Sequence, residues 1–215
     1  MQSSQSLPPG DRLLRGLPLK HFPCVHADVP WHYKPYKPPP PDAHGRRDTE
    51  RHYSTMSVDE IAALPVADYV ARDCHLWFWS TGTHLPMAFE IMRGWGFKFS
   101  ASGFVWIKLK KKFGQREHLI RSYSIEEALH LGLGKTTRKN AEFCLLGRRG
   151  NPKKLSNSVR EVILTPVREH SRKPDEVYER IEKYCPGPRL DLFGRQQRPG
   201  WEVRGDEADK FGVEA

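Results

Sequence analysis

Short apolar runs alternate with helical segments along this 215-residue chain, and few architectures accommodate that order. Phe22-Pro23-Cys24-Val25-His26-Ala27 reads as the first strand. Cys74-His75-Leu76-Trp77-Phe78-Trp79 is apolar on both faces, as in a buried strand of the parallel kind. Phe104-Val105-Trp106-Ile107, Phe143-Cys144-Leu145-Leu146, Glu161-Val162-Ile163-Leu164, Arg189-Leu190-Asp191-Leu192-Phe193 and Trp201-Glu202-Val203 continue the series. Between them, Ser57-Val58-Asp59-Glu60 forms a capping box for a short helix that Pro65 ends. A second helix over 84–94 has Pro86 in its first turn and Gly94 and Gly96 at its end. Pro174 starts a third, with Asp175 and Glu176 complementing the helix dipole and Val177, Tyr178, Ile181 and Tyr184 on one apolar face. Cys185-Pro186-Gly187 stops it. Strands alternating with helices in a chain of this length predict one α/β domain, a three-layer sandwich.

The segments outside that pattern are polar. Residues 1–20 are punctuated by Pro and Gly and are expected to be poorly ordered. The domain is placed at 21–207, with 208–215 as a tail. Lys34-Pro35-Tyr36-Lys37 leads into Pro38-Pro39-Pro40-Pro41, a run that enters neither a central strand nor a helix interior. Residues 32–52 therefore form a long loop, expected to be a substrate-facing flap, with a disordered insertion as the plain alternative. A second basic, irregular segment spans 108–140 and contains a short helix capped by Ser124 and Glu127.

Asp28-Val29-Pro30-Trp31 follows the first strand directly. In open α/β sheets, ligands bind in the crevice outside the carboxyl ends of the strands. An acid, a ring-constrained backbone and an indole at that place suit a flat, amine-bearing base: acid and carbonyls accept from the amine, and the indole stacks. Asp191 is a second acid near a strand end, where acids accept from ribose hydroxyls or amines; a solvated acid is the plain alternative.

Other chemistries lack their residues. The ten histidines include no H-E-x-x-H and none pairs with cysteines at zinc spacing, so no metal is expected. Gly134-Lys135-Thr136 resembles the end of a phosphate-binding loop, but Leu129 stands where its first glycine belongs. No serine occupies a G-x-S-x-G elbow. The remaining chemistry is a reaction between two bound ligands, catalysed by positioning and electrostatics.

Lys and Arg number 35 against 26 Asp and Glu, a net charge of +9 that suits a polyanionic partner, nucleic acid above all. Cys24, Cys74, Cys144 and Cys185 lie far apart with no C-x-x-C pair and read as buried free thiols of a reducing compartment. With no signal core and no membrane-length apolar run, a cytoplasmic location is expected.

Asp28-Val29-Pro30-Trp31 resembles the Asp-Pro-Pro-Trp motif of adenine N(6)-methyltransferases. In order after it come Tyr53-Ser54-Thr55-Met56-Ser57, Leu76-Trp77-Phe78-Trp79, Glu142 to Pro152, Arg172-Lys173-Pro174-Asp175-Glu176-Val177-Tyr178 and Leu192-Phe193-Gly194-Arg195. This ordered set, spanning about residues 22–207, is similar to the blocks of the MT-A70 family, relatives of the mRNA adenosine methyltransferase catalytic subunit. Arg198-Pro199-Gly200-Trp201 matches the shorter bacterial and phage members.

The resemblance implies a class I S-adenosylmethionine-dependent methyltransferase fold, Rossmann-like, with a seven-stranded, mostly parallel sheet carrying one antiparallel strand. It also implies a permuted order in which the catalytic motif precedes the main cofactor strand. By that likeness the catalytic residues are Asp28, Val29, Pro30 and Trp31: Asp28 and the Val29 carbonyl hold the adenine amine, and Trp31 packs against the base. Tyr33 and Tyr53 would line the base pocket, while Lys34, Lys37, Arg47, Lys110 and Lys111, with Arg46, Arg51, Lys108, Lys112 and Arg116, would meet phosphates. The cofactor is S-adenosylmethionine. Lys173 would meet its polar end, Asp191, Arg195, Asp206 and Glu207 would surround its ribose, and Asp28 and Phe193 complete its site. Val29 replaces the first proline of the motif, which removes a fixed φ and is expected to loosen the backbone while sparing the carbonyl. The expected substrate is adenine in nucleic acid, DNA in preference to RNA. A non-catalytic partner subunit and an enzyme acting on a small-molecule or protein amine are the other readings. A homodimer or an added subunit is left open.

Overall fold

The computed structural model describes residues 13–31, 55–113, 124–132, 134, 136–169 and 171–212. Among them, β1 (Phe22–Ala27), β2 (Val70–Ser80), β3 (Lys98–Leu109), β4 (Ala141–Arg149), β5 (Val162–Pro166), β6 (Arg189–Leu192) and β7 (Trp201–Arg204) form one sheet. The strand order is β5-β3-β4-β2-β1-β6-β7. β4 runs antiparallel to β2 and β3, and every other pairing is parallel. The seven-stranded, mostly parallel, Rossmann-like sheet is the one expected.

Strand lengths differ from the apolar runs. β2 and β3 begin several residues early, through exposed Arg72 and Asp73 and through exposed Lys98 to Ser102, positions that leave no apolar run in the sequence. β6 stops at Leu192 because Phe193 turns into the left-handed region at φ 64°.

The helices are α1 (Val58–Ala62), α2 (Val66–Tyr69), α3 (Leu85–Gly94), α4 (Ile125–Ala128) and α5 (Asp175–Tyr184). α1 and α4 each open on a complete capping box. Ser57 Oγ accepts from Glu60 N at 3.2 Å while the Glu60 carboxylate accepts from Ser57 N at 2.8 Å, and Ser124 and Glu127 repeat the exchange. Only α2 had no counterpart in the sequence pattern.

Side-chain alternation divides the core between the two faces of the sheet. Val25, Ala27, Leu76, Phe78, Leu190 and Leu192 pack with Ile61, Ile91 and Trp95 from the α1–α3 side. Cys24, Trp77, Trp79, Phe104 and Ile163 pack under Val177 and Ile181 of α5. All four cysteines are buried free thiols. No helix among the described residues is long and apolar enough to cross a membrane.

Both expected boundaries move. Residues 13–20 belong to the fold: Leu14 and Leu17 are buried in the first core, and the Lys20 and His21 amides donate to the carbonyls of Asp68 and Tyr69 at 2.8 Å. Apolar side chains within a polar stretch tie it down. Residues 1–12 lie outside the described residues. At the other end, the turn that begins at Gly205 docks back on the loop after β6 as far as Gly212, so the boundary at 207 cuts through a packed segment.

From β1 the chain continues to β2 on one side, whereas β6 continues to β7 on the other. The segments leaving β1 and β6 therefore diverge, and this topological switch opens a crevice at their carboxyl ends.

Candidate active site

Asp28 lies at that switch, its amide donating to the Leu192 carbonyl of β6 at 3.3 Å. The next three residues form a tight turn. Trp31 N donates to Val29 O at 2.9 Å across Pro30, whose ring fixes the φ that such a three-residue turn needs. The Pro30 carbonyl accepts from Met56 N at 2.9 Å, which ties the motif to the segment before α1. The turn closes on Pro30, and the Val29 side chain is buried in the core. One lone pair of the Val29 carbonyl remains for a ligand.

The Lys173 ammonium faces Asp28 directly, with Nζ 2.6 Å from Asp28 Oδ2 and 3.3 Å from Glu142 Oε2, and 5.1 Å above the Trp79 ring. Glu142 also pairs with Lys108, giving an alternating row Lys108–Glu142–Lys173–Asp28 along the top of the sheet. Burial favours neutral lysine, but the carboxylates of Asp28 and Glu142 outweigh it and raise the Lys173 pKa. Burial likewise opposes the Glu142 carboxylate, yet Lys173 and Lys108 hold its pKa down at about 2. Lys173, expected at the polar end of a cofactor, pairs with Asp28 and Glu142 and also lines the recess beside them. Lys108, assigned to phosphate, is committed to Glu142 instead.

A cleft opens beside Asp28, walled by Val29, Pro30 and Met56 together with Phe193, Arg195, Asp206 and Glu207. A small recess adjoins it through Asp28 and Phe193 and reaches Lys173 and Arg198. Arg195 Nε lies 2.7 Å from Glu207 Oε2. Apolar walls and the placing of charges suit S-adenosylmethionine: acids for ribose hydroxyls, cations for a carboxylate, apolar side chains for an adenine ring. Two glycines let the walls meet. A Cβ on Gly194 would lie 2.6 Å from Asp191 Oδ2, and one on Gly205 would lie 2.6 Å from the Gly194 carbonyl.

The MT-A70 family model matches residues 22–207, from the first residue of β1 to the second acid of the cleft wall. The chain belongs to the MT-A70 family. It is 32% identical over 195 residues to the N(6)-adenosine-methyltransferase MT-A70-like protein of Drosophila melanogaster, covering 89% of this chain and 28% of that protein. It is 31% identical over 195 residues to the N(6)-adenosine-methyltransferase catalytic subunit METTL3 of Homo sapiens, covering 89% and 29%. With the type II methyltransferase M.MunI of a Mycoplasma species it shares 27% identity over 214 residues, 93% of this chain and 83% of that enzyme. The chain thus spans under a third of the two eukaryotic relatives and most of M.MunI.

Within the MT-A70 frame, two expected contacts are corrected. Asp191 is among the residues lining the recess beside the cleft, but its carboxylate is not free. It is fully buried, and its two oxygens take His26 Nδ1 at 2.7 Å and Tyr178 Oη at 3.0 Å. Trp79 Nε1, a donor only, lies 2.8 Å from His26 Nε2, so His26 carries its proton on Nδ1 and donates it to Asp191. Burial, then the Asp191 charge, raises the pKa of Tyr178, which stays a donor. Asp191 is a strut beneath the turn at Gly194. Trp31 is also buried, stacked on His84 with ring centroids 4.7 Å apart and edge-on to Phe78, so it anchors the motif rather than offering an open face to a base.

Asp28, Val29, Pro30, Phe193, Arg195, Asp206 and Glu207 come together around the cleft, with Lys173 in the adjoining recess. Lys110 and Lys111 lie at the end of β3, where Lys110 Nζ donates to the Glu127 carbonyl and Lys111 is exposed. Tyr33, Lys34, Lys37, Arg46, Arg47, Arg51, Tyr53 and Arg116 fall outside the described residues, as does the whole of the expected flap at 32–52. Glu142 was missed as a site residue. It stands at the start of an apolar strand, and only the antiparallel direction of β4 brings a strand start to the carboxyl edge of the sheet.

Proposed function

We propose that this chain is an S-adenosylmethionine-dependent methyltransferase acting on the exocyclic 6-amino group of adenine in nucleic acid, and that its substrate is DNA. The observation that carries the reading is Asp28 at the sheet's switch point, held by a buried lysine and opening on a cleft lined by apolar and acidic side chains. DNA is favoured by the alignment that spans 83% of a type II methyltransferase and by the net charge of +9. The eukaryotic relatives, named as adenosine methyltransferases, keep RNA as the second substrate to test.

The amine of adenine is a weak nucleophile because its lone pair is delocalised into the ring. Hydrogen bonds from its two protons to the Asp28 carboxylate and to the free lone pair of the Val29 carbonyl favour a pyramidal nitrogen. The lone pair then points across the cleft. When bound, S-adenosylmethionine would supply an electrophilic methyl group on a sulfonium, whose sulfur would keep the C–S bonding pair and depart as a neutral thioether. The nitrogen sheds one proton, with Asp28 as the acceptor in reach. Lys173 keeps that carboxylate aimed and balances its charge. Reaching a paired base requires flipping it out, at a cost of roughly a few kcal/mol.

Mass spectrometry of nucleosides from the DNA and RNA of cells expressing the wild-type chain or Asp28→Ala tests the reading. N6-methyladenine in DNA that vanishes in the variant is the expected result. The same level in both would remove Asp28 from the chemistry. Methyladenine in RNA alone would reassign the substrate, and none with either chain would favour a non-catalytic partner subunit.

A further inference from the structure

We infer that Phe211 is a positioning residue for the cofactor cleft, acting through guanidinium groups on its ring. The inference rests on the cofactor reading of the cleft. Arg172 Cζ lies 4.7 Å and Arg195 Cζ 5.3 Å from the Phe211 ring centroid, both within cation–π range. These arginines come from different loops. Arg172 precedes Lys173, whose ammonium holds Asp28, and Arg195 follows β6 and pairs with Glu207 at 2.7 Å. The ring itself belongs to a third segment, the turn after β7 that carries Asp206 and Glu207.

Around the ring, backbone and side-chain bonds fix the same assembly. Phe211 N donates to Arg195 O at 3.2 Å, Gln197 Nε2 donates to Asp209 Oδ1 at 3.1 Å, and Arg172 Nη2 donates to Gln196 Oε1 at 2.7 Å. Phe211 also forms part of the recess wall next to Lys173. One aromatic ring therefore joins the loop that aims the catalytic acid to the two loops that wall the cofactor cleft. An aliphatic side chain of similar volume would fill the space but would have no negative ring face to hold the cations. The contact sets the cleft width and the place of Lys173 together, so its loss weakens cofactor binding and slows the chemical step while leaving nucleic-acid binding alone.

The test compares Phe211→Leu with Phe211→Tyr in the full chain. Titration calorimetry with S-adenosylmethionine, methyl-transfer kinetics on DNA, DNA affinity and thermal melting are the four readouts. In Phe211→Leu we expect cofactor Kd to rise about tenfold, the size of two cation–π contacts, and kcat to fall. Melting temperature falls by no more than about a few degrees, and DNA Kd stays as in the wild type. Phe211→Tyr, which keeps the ring, restores both parameters. Wild-type cofactor affinity in Phe211→Leu overturns the inference, as does equal loss in both variants. A wild-type chain that binds no S-adenosylmethionine would instead bring down the cofactor reading, and this inference with it.

Discussion

Lys173 Nζ and Asp28 Oδ2 lie 2.6 Å apart at the carboxyl edge of the sheet, although 145 residues separate them in sequence. Lys173 is 7% exposed and has the Trp79 ring beneath it, so little water competes for the ammonium. The pair fixes the direction of the Asp28 carboxylate beside the cleft.

Replacing Asp28 by Asn keeps the shape of the side chain but removes the charge that Lys173 holds. We expect methyl transfer to fall by about 10²- to 10⁴-fold, while cofactor affinity by calorimetry changes little. A variant retaining a tenth of wild-type turnover would mean that proton acceptance lies elsewhere.

Glu142 offers a pH test. Its folded pKa, about 2, lies below the ordinary 4.5, so its contribution to stability is complete above pH 4.5 and is lost as pH falls towards 2. Glu142→Gln should cost on the order of 2 kcal/mol at neutral pH, since it leaves Lys108 and Lys173 without a shared counter-ion. Urea unfolding at a series of pH values checks this. The gap between wild type and variant should close through that acid window, and a gap constant from pH 7 to 2.5 would contradict the assignment.

For Asp191 the expectation is structural. Asp191→Asn substitutes an amide for an acceptor of two buried donors, and its NH₂ group must face either His26 Nδ1–H or the Tyr178 hydroxyl. A loss of roughly 2–4 kcal/mol of stability follows, readable as a drop in melting temperature. At a temperature where the variant is folded, its cofactor Kd should stay within about threefold of wild type. A stable variant with greatly weakened cofactor binding would restore Asp191 to the ribose site.

Restoring the family's proline is the last test. Because the turn closes between Val29 O and Trp31 N across Pro30, Val29→Pro should leave kcat within about twofold of wild type. A large gain or loss would show that residue 29 tunes the backbone after all.

Much of the fold was legible because it is specified locally. The capping boxes at Ser57 and Ser124 lie within four residues of the groups they satisfy. Each strand announced itself by an apolar run, though only through its buried part; the polar starts of β2 and β3 carry no such mark. At the site, the position of Asp28 was legible from the strand before it. Its partner was not. Glu142, His26 and Phe211 are ordinary residues in the sequence, and nothing local distinguishes them from a surface acid, a core histidine and a tail aromatic.

By itself the sequence determined the element order, the α/β class and the acid at a strand end, since periodicity, caps and turns act over a few residues. Tertiary structure alone decided what each polar side chain faces. It turned β4 against its neighbours and so carried Glu142 to the site, and it spent Asp191 on His26, 165 residues away. It also buried Trp31 against His84. Charge and hydrogen-bond pairing inside a protein depend on distances between chain segments that local rules leave free, and only the closed sheet fixes those distances.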